Sequence, residues 1–129
     1  RDLSSQKVGL IGFGAIGQLV AKRLTGFDCE VLYYRRSGEA EGTSARYAER
    51  DEILETCDIV SLHMPLTEAS HHTIGTPELA RMKSDALLVN TGRGGLIDEA
   101  ALIDTLTHKR IAGAALDVFT EEAQHLQGQ

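Results

Sequence analysis

Three glycines near the start of the chain have the spacing that lets a protein backbone bind phosphate. Gly12, Gly14 and Gly17 are spaced G-x-G-x-x-G, between an apolar run at 7–11 and a stretch at 15–24 with helical periodicity. The first glycine permits a tight turn, the second lets a phosphate approach, and the third lets the helix pack on the strand. A pyrophosphate would then lie on the free amides and the positive dipole end of that helix.

A second strand pattern at 30–34 completes a strand-helix-strand unit around these glycines. This context favours a dinucleotide as the ligand. A plain structural turn, or S-adenosylmethionine as the ligand of a transferase, remains an alternative. Ile16, Leu19, Val20 and Leu24 recur on one face of the predicted helix.

Two arginines and a serine follow the second predicted strand, where NAD-binding domains usually carry an acidic residue. Arg35, Arg36 and Ser37 offer charge-assisted hydrogen bonds that suit a 2′-phosphate, and no carboxylate stands at this point. The alternative is a solvated arginine pair at a strand end. The sequence therefore predicts NADP as the cofactor, with NAD as the alternative.

The composition is that of one globular domain over residues 1–129, with 42% hydrophobic and 25% charged residues. A net charge of -6 without a basic run argues against nucleic acid and membrane as partners. Cys29 and Cys57 are too few for a disulfide framework, so we expect two reduced core cysteines. No long apolar run or signal-peptide pattern is present, which predicts a cytoplasmic protein.

Predicted strands and helices alternate along the rest of the chain. Helices are predicted at 49–56, 76–82 and 98–108, and strands at 58–62, 86–89 and 111–116. The strand runs are apolar on both faces, which predicts a parallel sheet covered on both sides: a Rossmann-type, doubly wound, three-layer α/β/α fold. Because ligands of such sheets bind beyond the carboxyl ends of the strands, the segments that follow the strands should converge in one crevice.

Four stretches give the chain a more specific resemblance. They are VGLIGFGAIG at 8–17, DIVSLHMPLT at 58–67, MKSDALLVNTGRGGLIDEAA at 82–101 and IAGAALDVFTEE at 111–122. In them the chain resembles the NAD(P)-binding domain of the D-isomer-specific 2-hydroxyacid dehydrogenases, and is most similar to glyoxylate and hydroxypyruvate reductases, many of which use NADPH. The resemblance implies an oxidoreductase that transfers a hydride between NADP(H) and a small 2-oxo or D-2-hydroxy acid such as glyoxylate or hydroxypyruvate.

The resemblance assigns two residues to catalysis. Arg93 matches the family's arginine that holds the substrate carboxylate, a task that suits a planar guanidinium. Glu122 matches the acid that hydrogen-bonds the catalytic histidine and raises its pKa. The chain has Ala123 where the family has proline, and it stops before the family's Pro-His segment. The alternatives are a loop-stabilising arginine and a solvated tail carboxylate.

Other positions match cofactor contacts of the family. Ala15 and Ile16 match backbone contacts to the pyrophosphate, and Pro65 matches the wall near the adenosine. The run Thr91-Gly92-Arg93 matches the loop at the nicotinamide ribose, and Asp117 matches the acid that bonds the carboxamide. A turn-capping role is the alternative for this aspartate.

The five histidines predict no metal site. His71 and His72 adjoin each other without Cys, Glu or a third His at ligand spacing. His63, at the end of the third long strand, is interpreted as a wall residue of the site. His108 ends a helix, where a partial positive charge suits the dipole, and His125 lies in the tail.

The chain begins with Arg1 and ends in a polar run at 123–129, so we expect a fragment of a longer protein. In the family, flanking segments form the substrate domain, so this chain alone should bind dinucleotide without turnover. The resemblance also implies a homodimer formed through this domain. A non-catalytic, dinucleotide-sensing or corepressor-like module on the same fold is the alternative function.

Overall fold

The computed structural model describes residues 6–64, 70–90 and 94–116. Strands and helices alternate through it. In chain order they are β1 (Lys7–Ile11), α1 (Ala15–Thr25), β2 (Glu30–Tyr34), β3 (Arg46–Tyr47), α2 (Arg50–Thr56), β4 (Ile59–Leu62), α3 (Thr76–Arg81), β5 (Leu87–Asn90), a 3-10 turn (Gly94–Leu96), α4 (Glu99–Thr107) and β6 (Gly113–Leu116). The predicted strands and helices are confirmed, with shifts of one or two residues at several ends, whereas β3 and the 3-10 turn were not predicted.

The six strands form one sheet in the order β3-β2-β1-β4-β5-β6, and every pairing is parallel. The strand order reverses at β1, as it does in Rossmann sheets. The predicted doubly wound fold is therefore confirmed. The topology also places the carboxyl ends of β1 and β4, on either side of the reversal, next to each other.

The carboxyl ends of five strands lie in one row across the sheet. Ile11 is paired with both Tyr34 and Leu62, Leu62 is paired with Asn90, and Asn90 is paired with Leu116. The segments that follow these strands therefore leave the sheet from a common edge.

Two apolar clusters pack on the two faces of the sheet. On one face, α2, α3 and α4 lie side by side and bury Ile53, Leu79 and Leu102 against β1, β4 and β5. On the other face, α1 packs Ala21 against Val8 of β1 and its neighbours. Successive residues of a strand point to opposite faces, so one strand supplies both clusters.

The packing of α1 differs from the predicted apolar face. Ile16 and Leu19 are 64% and 49% exposed. Val20 and Leu24 of the predicted face are half-buried against the sheet, and Gly17 and Ala21 are buried beside them. Small residues let a helix lie close to the sheet, and this close approach leaves the larger side chains outside.

Helices cover the two faces of the sheet to different extents in the described ranges. The α1 cluster reaches from β2 across β1 to Ile59 of β4. Leu87, at the start of β5, is 43% exposed. The prediction of a sheet covered on both sides thus holds for β1 and β2, whereas the described helices cover β5 on one face.

Local hydrogen bonds account for the helix ends. Asp98 caps α4, because its side chain accepts a hydrogen bond from the Ala101 backbone amide at 3.3 Å. Gly26 ends α1. Gly75 precedes α3, and its amide donates to Glu78 Oε1 at 2.8 Å.

Cys29 and Cys57 are both buried and unpaired, which confirms their prediction as core cysteines. Burial raises the pKa of the Cys57 thiol to about 11 and also raises the pKa of Cys29. None of the described helices has both the length and the apolar character needed to cross a membrane.

Candidate functional site

Gly12 forms the turn between β1 and α1, and its position requires glycine. Its φ is +97°, and a Cβ at this residue would lie 2.8 Å from both the His63 carbonyl carbon and the Met64 nitrogen. Its amide donates to the Tyr34 carbonyl at 2.8 Å. The turn is therefore held between the ends of β2 and β4.

Gly14 and Gly17 serve different purposes. A Cβ at Gly17 would lie 3.0 Å from the Gly12 carbonyl oxygen, so this glycine allows α1 to approach the turn. A Cβ at Gly14 would meet no protein atom within 4 Å. Nothing in the described protein requires glycine at position 14, whereas a ligand lying on the backbone there would.

The N-terminus of α1 has the properties of an anion site. Gly14 precedes the helix, makes no side-chain cap, and no acidic residue lies in the first turn. The first amides of a helix lack intrahelical acceptors, so those of Ala15, Ile16 and Gly17 are donors for a bound anion. This arrangement, with the open space over Gly14, fits a dinucleotide pyrophosphate.

Arg35 binds the loop that follows β2. Its Nε donates to the Gly38 carbonyl at 2.6 Å, and its Nη2 donates to the Glu39 carbonyl at 2.8 Å. Arg36 and Ser37 are exposed and make no hydrogen bond or ion pair within the described ranges. Of the three residues predicted to bind the 2′-phosphate, Arg35 therefore has donors already bonded to the loop, whereas Arg36 and Ser37 can bond to a ligand.

Aromatic stacking connects this loop to the glycine turn. The Phe13 ring stacks on Tyr33 with centroids 4.0 Å apart and planes at 21°. The Tyr33 hydroxyl accepts a hydrogen bond from the Ala40 amide at 2.6 Å. One tyrosine thus contacts both the turn and the far end of the loop.

His63 follows β4 and lies behind the glycine turn. Its Nε2 is 2.8 Å from the Ser61 hydroxyl oxygen. Burial lowers the pKa of His63, so its imidazole is neutral near pH 7 and is poorly suited to donate a proton. This supports its interpretation as a wall residue. Ser61 was not singled out from the sequence, although a serine in an apolar buried strand is the signal that could have found it.

Several predicted site residues lie outside the described ranges. They are Pro65, Thr91, Gly92, Arg93, Asp117 and Glu122. The described chain reaches the site edge at Asn90, which is fully buried, and at Leu116. The roles assigned to these residues stay predictions. No group of three or more potential metal ligands occurs in the part of the chain that the structure describes.

The arrangement can bind an anionic dinucleotide at the row of strand ends. Gly12, Gly14 and Gly17 fix the turn, and α1 offers its free amides. Arg36 and Ser37 lie at the same edge of the sheet, because they follow Tyr34, the last residue of β2, which is paired with Ile11 at the end of β1. The predicted site residues that the structure describes can bind a ligand, but none of them is a proton donor for catalysis.

Comparisons with known proteins agree with this geometry. The family model described as "D-isomer specific 2-hydroxyacid dehydrogenase, NAD binding domain" matches residues 1–128. A glyoxylate reductase of Thermococcus litoralis is 45% identical over 123 residues, covering 93% of this chain and 37% of that protein. A D-specific alpha-keto acid dehydrogenase of Enterococcus faecalis is 46% identical over 124 residues, covering 96% of this chain and 38% of that protein.

Two solved structures show the likeness in three dimensions. D-lactate dehydrogenase with NAD+ from Lactobacillus jensenii superposes with a TM-score of 0.90 at 38% identity, covering 95% of this chain and 37% of that one. An acyclic imino acid reductase in complex with NADPH and D-Arg gives a TM-score of 0.88 at 33% identity, covering 98% and 42%. The chain thus spans well under half the length of these proteins.

Proposed function

The chain belongs to the D-isomer specific 2-hydroxyacid dehydrogenase family as its NAD-binding domain, and we propose that it binds NADP(H) in an oxidoreductase acting on a small 2-oxo or D-2-hydroxy acid. The observation that carries the proposal is the space over Gly14, beside the amides of α1, in a turn that Gly12 fixes. The relatives named glyoxylate reductase support glyoxylate or a similar acid, such as hydroxypyruvate, as the substrate.

The preference for NADP(H) rests on the loop after β2. Arg36 and Ser37 are exposed and lack partners in the described ranges, so both are available to a 2′-phosphate. Similar structures have been solved with NAD+ and with NADPH, and NAD(H) is therefore the alternative cofactor. The choice between the two depends on the residues of this loop.

The catalytic roles are proposed for residues that follow β5 and β6 in sequence. Bound NADPH supplies the hydride. Arg93 would hold the substrate carboxylate through paired N–H donors and so orient the neighbouring carbonyl. Glu122 would keep a histidine of the complete active site protonated. Thr91, Gly92 and Asp117 would contact the nicotinamide half, and Pro65 the adenosine half.

Separate titrations with NADPH and NADH, followed by the fluorescence of the reduced nicotinamide, test the cofactor proposal. We expect tighter binding of NADPH, and a selective loss of NADPH affinity in Arg36→Gln. Arg110→Gln is the matched control, because Arg110 is an exposed arginine paired with Asp104 and precedes β6, away from the site edge. Tighter binding of NADH by the unaltered protein would contradict the NADP preference.

Oxidation of NADPH by the protein joined to its flanking segments, with glyoxylate as substrate, tests the enzymatic proposal. Arg93→Gln should remove most of this activity, while the glycine turn and α1 retain most of the dinucleotide affinity. Full binding without activity toward any 2-oxoacid would instead favour the dinucleotide-sensing module. A cytoplasmic homodimer is part of the proposal, supported by the two unpaired cysteines and the family resemblance. Sedimentation velocity of the purified protein tests the dimer.

A further inference from the structure

Two adjacent N–H donors of the Arg35 guanidinium bond to backbone carbonyls of the loop that follows β2. Nε donates to the Gly38 carbonyl at 2.6 Å, and Nη2 donates to the Glu39 carbonyl at 2.8 Å. Nε and its neighbouring Nη form one edge through which arginine holds a phosphate with two parallel bonds. While the loop has this shape, Arg35 does not offer that edge to a ligand.

The same loop is fixed at a second point. The Tyr33 hydroxyl accepts the Ala40 amide at 2.6 Å, and the Tyr33 ring stacks on Phe13 of the glycine turn. The Gly38 amide also closes a turn on the Arg35 carbonyl at 3.1 Å. Arg36 and Ser37 lie within this turn and are exposed. The contacts of Tyr33 and Arg35 therefore determine where these two side chains are presented.

We propose that Arg35 and Tyr33 are positioning residues that hold the loop at 36–40 in place, so that Arg36 and Ser37 contact the 2′-phosphate and Arg35 does not. The proposal rests on the proposed binding of NADP(H). The two adjacent arginines then have different roles: Arg36 binds the phosphate, and Arg35 supports the loop. In the proposed complex the loop borders the adenosine end of either dinucleotide, so loss of its support weakens binding of both.

Dissociation constants of NADPH and NADH, measured by titration for four arginine variants, separate the two roles. Arg36→Gln should weaken NADPH about tenfold and leave NADH nearly unchanged. Arg35→Gln should weaken both dinucleotides by a similar factor, about three- to tenfold. Arg35→Lys should resemble Arg35→Gln, since an ammonium group keeps the charge but lacks the fixed pair of donors. Arg110→Gln, the surface control, should bind both as the unaltered protein does.

A different pattern would overturn the inference. If Arg35→Gln weakened NADPH alone and Arg35→Lys restored it, Arg35 would be a direct phosphate ligand. If Arg35→Gln bound both dinucleotides normally, the two carbonyl contacts would have no positioning role. The unaltered protein provides the separate check: tighter binding of NADH would refute the NADP preference, while equal weakening of both in Arg35→Gln would still support the loop role.

Tyr33→Phe gives an independent measurement, because it keeps the ring that stacks on Phe13 and removes the hydroxyl alone. We expect weaker binding of both dinucleotides and faster hydrogen exchange at the Ala40 amide, which loses its acceptor. Unchanged exchange and unchanged affinity would show that this hydroxyl does not hold the loop. Both readouts are taken on folded protein, as judged by a retained cooperative thermal transition.

Discussion

The backbones of Gly12 and His63 are in such close contact that a Cβ on Gly12 would lie 2.8 Å from the His63 carbonyl carbon. Two chain segments that are far apart in sequence meet here, directly beneath the proposed pyrophosphate position. The contact and the positive φ of Gly12 are independent reasons for glycine. Substitution of Gly12 therefore tests how the turn contributes to stability and to binding.

Gly12→Ala should lower the free energy of unfolding by about 2–4 kcal/mol, because it adds backbone strain at positive φ and a steric clash with the backbone of His63 and Met64, just after β4. Gly14→Ala is the matched comparison, since a Cβ there meets no protein atom within 4 Å. It should leave the unfolding free energy nearly unchanged while weakening dinucleotide binding. Urea unfolding and NADPH titration measure the two effects, and equal destabilisation by both variants would contradict the assignment.

The stability of the protein should decrease as the pH falls through the range in which an unfolded histidine titrates. Burial lowers the pKa of His63 in the folded state below the ordinary value of 6.5. The unfolded chain therefore binds this proton more readily, and stability rises with pH across the interval between the two pKa values. Urea unfolding at about pH 7 and pH 5.5 should show a smaller decrease for His63→Gln than for the unaltered protein. An equal decrease in the two proteins would show that the burial of His63 does not contribute to it.

Cys57 should be chemically inert in the folded protein. With a pKa of about 11, only about one thiol in ten thousand is ionised at neutral pH, and the side chain is fully buried. Iodoacetamide should therefore modify it slowly in buffer and rapidly in urea, as followed by mass spectrometry. Rapid modification of native Cys57 at neutral pH would show that β4 and α2 open far more readily than their packing suggests.

Asp98 should stabilise the N-terminus of α4. Its side chain accepts a hydrogen bond from the Ala101 amide at 3.3 Å. Asp98→Ala should cost about 1 kcal/mol in unfolding free energy, whereas Asp98→Asn should cost less because it retains an acceptor oxygen. Urea unfolding of both variants measures the difference. An equal cost for the two would mean that the charge, rather than the cap geometry, matters at this position.

The sequence was sufficient to predict the glycine turn and the order of long elements, because these depend on local rules. Gly12 follows a strand pattern at a positive φ that favours glycine, and Gly17 lies in the first turn of the helix, where a Cβ would crowd the Gly12 carbonyl oxygen. β3 consists of Arg46 and Tyr47 alone, which is too short to produce a periodic pattern. It becomes a strand through its pairing with β2, a contact between segments that no local signal encodes.

Two further differences arise from packing and hydrogen bonding. The apolar residues of α1 predicted one buried face, but Ala21 and Gly17 form the close contact, and Ile16 is left exposed. Arg35 and Arg36 are the same residue type at adjacent positions, so the sequence could not distinguish them. The carbonyl groups at the far side of their loop make the difference, and these are visible only in the folded chain.

The connection between β2 and β3 contains no helix, and none of its residues from 35 to 45 is fully buried. Tyr33, in β2, contacts this connection and the segment after β3: its hydroxyl accepts the Ala40 amide at 2.6 Å, and its carbonyl accepts the Ala48 amide at 2.9 Å. Arg36 and Ser37, which we propose to contact the 2′-phosphate, belong to neither apolar cluster, whereas Ala40 and Ala45 of the same connection pack against the α1 cluster. Cofactor preference could therefore change through substitutions at positions 36 and 37 alone, while the packed residues of the same connection keep their contacts with the sheet.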